Sequence, residues 1–216
     1  SLAGSNYHLA AWSPCIDVGQ NVAVLTAVDL DGLPRIVDGG SGTAYVDIGA
    51  YEYQTGRLAI ASQAGGSTNP PPGVYQVELF EPINIAADPD SGYLFTKWMV
   101  TSGGSVGDAR AVTTTLTLTD AEPVTLTACF GQAAQLIIGV NPRESGSTVP
   151  AAGTYTVVVG EPFSISARPN TGWHFDEWTV VSGSVSFADP LSASTTLTVN
   201  DAGVPMVYAS MSINKY

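Results

Sequence analysis

Gly103-Gly104-Ser105-Val106-Gly107 has the Gly-x-Ser-x-Gly spacing that exposes a nucleophilic serine on a tight strand-to-helix turn. The residues after Ser105, "VGDARAVTTTLTL", read as a loop entering a strand, so the helix half of that device is missing. Asp176 and Glu177 lie beside His174 and Trp178 and suggest the paired carboxylates of glycoside cleavage. Adjacent residues of a strand face opposite ways, so the expected reading is a solvated strand. The two histidines, His8 and His174, have no His or Cys neighbours at ligand spacing, which excludes a zinc-type site. Asp29 and Asp31 in "DLDG", with Asp38 and Asp47 nearby, offer hard oxygens of the kind Ca²⁺ prefers. The string is too short for an EF-hand loop. The competing expectation is that Asp29 or Asp31 pairs with Arg35 and caps the turn. Among these residues only Ca²⁺ qualifies as a cofactor, and no catalytic activity is expected.

The elements that must carry these side chains repeat. Shifted by eighty positions, "PDSGYLFTKW" at 89–98 becomes "PNTGWHFDEW" at 169–178. Gly73, Tyr75, Glu81 and Pro82 fall on Gly153, Tyr155, Glu161 and Pro162; after one inserted residue Thr114–Thr117 fall on Thr195–Thr198. Two tandem copies are therefore expected at 57–131 and 134–213, after a distinct segment at 1–56. Each copy alternates apolar and polar residues over short runs, as in "INIAADP" and "TTTLTLTD", the period of a half-buried strand. Gly92 and Gly172 end Pro-x-x-Gly turns and are expected to need positive φ. No window has helical periodicity, so the fold class is all-β.

Phe95 and Trp98, like Phe175 and Trp178, are three apart, which in a regular strand sets them on opposite faces. A bulge would bring both into a core. Otherwise Trp98 and Trp178, with Tyr93 and Trp173, would form an exposed platform for stacking sugar rings. The core reading is the expected one, since aromatic burial dominates small β units.

Composition bounds the partners. Nineteen acids oppose seven Lys+Arg, a net charge of −12 spread along the chain, so no basic patch exists for nucleic acid. Nothing approaches the apolar length that inserts in a membrane. The 44% hydrophobic content and mean hydropathy of +0.17 indicate folded structure. Cys15 and Cys129 fall in different segments and are expected as buried thiols, not a disulfide. The opening "SLAGSNYHLA" reads as part of a longer chain, with any secretion signal upstream.

The pattern G-x-Y … E-P … A-x-P-x-x-G-[YW]-x-F-x-x-W … T-L-T, present in both copies, resembles the divergent internalin B-type bacterial repeat. That resemblance implies a secreted or cell-surface bacterial protein in which the repeats space or adhere, without catalytic residues. The related internalin repeat is β-grasp-like with a helix; here a helix-poor variant or a small sandwich is expected. "SPCID" at 13–17, "DLDGLPR" at 29–35 and "VDIGAYEY" at 46–53 resemble the closing stretch of right-handed parallel β-helix proteins of the choice-of-anchor Q type. The function implied is non-catalytic spacing or adhesion, on an extracellular polysaccharide or protein. The alternatives are a carbohydrate-binding module and an accessory region of a polysaccharide-degrading enzyme.

Overall fold

The computed structural model describes residues 7–215. No α-helix occurs among them. Fifteen strands do: β1 Thr55–Ser62, β2 Gly66–Asn69, β3 Gly73–Glu78, β4 Ile83–Pro89, β5 Tyr93–Val100, β6 Gly104–Val106, β7 Thr113–Leu118 and β8 Val124–Asn141, then β9 Gly146–Val149, β10 Gly153–Val158, β11 Pro162–Pro169, β12 Trp173–Ser182, β13 Val185–Phe187, β14 Ser194–Val199 and β15 Met206–Ile213. The chain divides into two compact units. One runs to Asp88 and includes Thr96–Cys129; the other holds Pro89–Phe95 and the residues from Phe130 on.

The second unit resolves the choice between sandwich and β-grasp. One sheet joins β10, the second half of β8, β15 and β12; the other runs β13-β14-β11-β9. Inward residues of both sheets share one core: Leu136, Ile138 and Val207 from the first, Ile165, Leu197 and Val199 from the second. No helix covers either, so the module is a small sandwich. The first strand segment of the module, within β8, pairs in parallel with the last, β15, with Ile137 opposite Met206 and Val140 opposite Ala209.

The first unit repeats the plan. β1 pairs antiparallel with β3 and parallel with the first half of β8, while a second sheet runs β2-β4-β7-β6. Leu58, Ile60, Ile85, Leu116, Leu118, Val124 and Leu126 are buried in it. Alternation produces this directly: in β7 Leu116 and Leu118 point inward while Thr113, Thr115 and Thr117 do not.

Gly92 and Gly172 adopt φ of +83° and +88°, as the turn motif predicts. Tyr93 N–H donates to Asp90 and Trp173 N–H to Asn170, closing each turn. At the equivalent corner of β3 and β10 the copies part: Gly160 has φ +83°, whereas Phe80 holds φ +64° with a side chain.

Residues 7–54 contain no strand. They carry one 3₁₀ turn, Asn21–Ala23, and two isolated bridges, Val28 with Pro34 and Val37 with Tyr45. The coils of a parallel β-helix are therefore not seen among these residues. The segment packs on the first module: the His8 ring stacks on Phe80 at 4.9 Å, and Leu79 N–H donates to the Gln54 carbonyl. Cys129 is buried, as expected, but Cys15 is only half-buried, and both are free thiols.

Candidate functional site

Carboxylates, not strands, organise residues 7–54. Asp17 accepts the amides of Gly39 and Ser41. Asp29 accepts those of Asp31 and Leu33 through Oδ1 and that of Glu52 through Oδ2. Asp47 accepts Asp17 N–H through Oδ1 and Tyr53 N–H through Oδ2, each at 2.6 Å, and Glu52 accepts Asp47 N–H at 2.8 Å. Each acid thus ties together chain segments that have no ladder to join. A carboxylate receiving several N–H groups is well stabilised as an anion. Burial pushes Asp17 upward, but the amides of Gly39 and Ser41 and the Ser41 hydroxyl outweigh it and hold the carboxyl below its usual value.

These bonds commit the carboxylates of the calcium expectation to the protein's own backbone. Both Asp29 oxygens accept amide hydrogens, whose dipoles compensate part of the carboxylate's charge. Asp31 Oδ2 lies 2.5 Å from His8 Nε2. Among the described residues no three His, Cys, Asp or Glu side chains are placed to hold a metal. Asp29 does cap the turn. Arg35, however, is not its partner: the guanidinium donates to the Gly49 carbonyl and stands 4.0 Å from Glu52.

Glu52 is the exceptional member of the set. Its side chain is fully buried, and Oε2 has no hydrogen-bond partner among the described residues. Burial, with the charges of Asp47 and Asp29, raises its pKa to about 7 against the opposing Asp47 amide and Arg35.

The repeated aromatics are core. Trp98 is 3% and Trp178 2% exposed, so neither offers a face to a sugar, and the platform expectation fails at both. Tyr93 and Trp173 are half-buried, Trp173 against the second module's core. In β12 a bulge between Phe175 and Glu177 absorbs Asp176, bringing the Phe175 and Trp178 rings to 5.8 Å on one side of the strand. Trp98 donates its indole N–H to the Ala111 carbonyl at 3.0 Å, whereas Trp178 Nε1 has no partner among the described residues.

Ser105 lies on the three-residue strand β6, opposite Thr117, and a strand follows it. Asp176 and Glu177 are exposed, as is Lys97, but Thr96 is half-buried and donates to the Cys129 carbonyl. The sequence did not reveal a cross-strand group at the ends of β12 and β15, where His174 is registered with Ser212. Ser212 donates to Asp176 at 2.5 Å, His174 Nε2 is 3.1 Å from Asp176, and Nδ1 is 3.0 Å from Asn214. The Ser212 hydroxyl also lies 3.4 Å from His174 Nε2, so the three side chains form one exposed polar group. Only the register, which local pattern does not encode, could have disclosed this group.

Two copies of an all-β sandwich, each built around one tryptophan, define a tandem β-repeat protein. Residues 57–134 and 136–209 match the divergent InlB B-repeat domain, and the chain belongs to that family of bacterial repeats. No curated protein and no solved structure matches it. No helix among the described residues is long and apolar enough to cross a membrane.

Proposed function

We propose that the two repeats form a non-catalytic spacing and attachment region of a secreted or cell-surface bacterial protein, with residues 1–56 as the closing segment of a parallel β-helix. The supporting observation is where the repeated residues reside. Trp98 and Trp178 are buried, and Gly92 and Gly172 make turns that need them. The solvent-facing positions diverge: Lys97 stands where Glu177 does, and Arg110 where Leu191 does. A chain that keeps its cores and varies its surfaces is maintaining modules, not one shared catalytic centre. The excess of acids over Lys and Arg favours extracellular polysaccharide or protein as the attachment partner and disfavours nucleic acid.

The test uses the whole chain. It is incubated with insoluble envelope polysaccharide and with generic ester, peptide and glycoside substrates. Retention without turnover is expected. Turnover that survives repurification and disappears on Ser105→Ala or Ser212→Ala refutes the non-catalytic reading.

A further inference from the structure

On the second module a groove of about 650 Å³ lies against β9, β11, β14 and the 188–192 loop. Its polar lining is almost entirely hydroxyl. Ser164 of β11 is registered with Thr196 of β14, and Ser166 with Ser194, so the pairs are cross-strand neighbours. Ser192 and Asp189 come from the loop, and Val149 and Ala188 add apolar surface. Asp189 is the sole ionisable residue among those lining it.

The first module keeps Asp108 and Thr113–Thr115 at the equivalent positions but differs at two of the hydroxyls. The loops are equivalent bond for bond: Trp98 N–H donates to Ala109 and Trp178 N–H to Pro190, while Arg110 N–H and Leu191 N–H bind Asp108 and Asp189. Equivalence places Ala86 where the groove has Ser166, and Ala111 where it has Ser192. Two buried polar atoms also differ between the modules. Trp98 Nε1 reaches the Ala111 carbonyl and Thr68 Oγ1 reaches the Pro70 carbonyl, yet Trp178 Nε1 and Thr148 Oγ1 have no partner among the described residues. Trp178 is 2% exposed, and by equivalence its N–H faces the Ser192 segment, which lines the groove. Thr148 precedes Val149 on β9. Buried donors are seldom left unpaired. One copy satisfies both atoms; the other pairs neither among the described residues.

We infer that this groove binds a neutral saccharide chain. Hydroxyl groups donate and accept, so a lining of them matches a ligand of the same character. The Asp189 carboxylate adds a strong acceptor for sugar hydroxyls and repels anionic sugars such as uronates. The apolar surface of Val149 and Ala188 beside these polar groups suits the two-sided character of a pyranose ring. The site deepens the attachment half of the function proposed above and needs none of the repeated tryptophans as a platform.

The experiment titrates the isotope-labelled full chain with cellohexaose, maltohexaose and chitohexaose, with hexagalacturonate as the anionic control, following backbone amide shifts. At least one neutral hexasaccharide is expected to shift amides of 164–166 and 188–196 while leaving 84–86 and 107–115 unmoved. Ser166→Val with Thr196→Val, both compatible with strand backbone, should weaken that binding about tenfold or more, equal to about 1.4 kcal/mol. The control pair Ala86→Val with Thr115→Val should change nothing. Saturating shifts that map to Tyr93 or Trp173, or binding unaffected by the Ser166/Thr196 pair, overturn the site while leaving attachment intact. No groove shift with any neutral sugar at about 10 mM overturns the inference; retention on envelope polysaccharide, measured separately, then decides the broader reading. Stronger binding of hexagalacturonate refutes the assigned ligand class.

Discussion

Glu52→Gln should stabilise the amino-terminal segment at neutral pH and leave it unchanged in acid. The carboxyl's pKa in the folded chain is about 7, against an ordinary value of 4.5. The folded state therefore binds the proton more tightly than the unfolded one, and stability falls as pH rises between these two values. The contribution is fully present below 4.5, is lost progressively up to about 7, and is constant beyond. The separation of 4.5 from about 7, at about 1.36 kcal/mol per pH unit, gives an upper bound of about 3.4 kcal/mol. A side chain with no exposed surface and no hydrogen bond to Oε2 among the described residues merits no large discount for screening. Glutamine keeps an acceptor for Asp47 N–H and cannot ionise. Amide exchange at Asp47 and Tyr53, read from pH 4 to 8 in both proteins, measures the local opening energy. The difference should be near zero at pH 4 and approach 2–3 kcal/mol at pH 8. Asp17, held below its usual value, acts in the opposite sense and in a more acidic window, where protonating it costs stability; subtracting mutant from parent removes it. Equal pH slopes in the two proteins would refute the assignment.

The tryptophans should both be structural but unequal. Either Trp→Ala should cost about 3–5 kcal/mol, whereas Trp98→Phe should cost about 1 kcal/mol more than Trp178→Phe, because only Trp98 loses a hydrogen bond; urea melts showing the reverse order would contradict this. Gly92→Val and Gly172→Val should each destabilise by more than about 1 kcal/mol through backbone strain alone, since a Cβ added at either would meet no neighbouring atom within 4 Å. Gly→Asn at the same sites should be milder, and a tolerated valine at both would refute the turn. Phe80→Gly should relieve positive-φ strain yet release the His8 stack, raising limited proteolysis within 7–54 while β1 and β3 keep their exchange protection; unchanged cleavage would deny Phe80 its anchoring role.

What could be read from the sequence was whatever depends on local period or on a single special φ. Alternation disclosed Leu116 and Leu118, and the Pro-x-x-Gly pattern disclosed Gly92 and Gly172, because side-chain direction and left-handed backbone are set by one or two residues. Pairing between distant strands left no such mark. The parallel approach of β15 to β8 and the meeting of His174 with Ser212 follow from closure of the sandwich, and any apolar alternating strand would satisfy the same local pattern. The Asp176 bulge was foreseeable only as one of two ways to reconcile Phe175 with Trp178.

The amino-terminal segment escaped for a different reason. Its recurrent Asp and Glu residues look like ligands or surface charges in a one-dimensional reading, because the bonds that join its distant segments span 23 and 30 positions: Asp29 to Glu52, Asp17 to Asp47. Yet the copies carried a clue to where this segment docks. Glycine is the inexpensive residue at the β10 corner, so phenylalanine at the same corner after β3 asks for a compensating contact. His8 supplies it. Divergence between repeats, set against a known backbone requirement, thus locates the contacts that each copy makes outside itself, and the same comparison marks Ser166 and Ser192 in the second module.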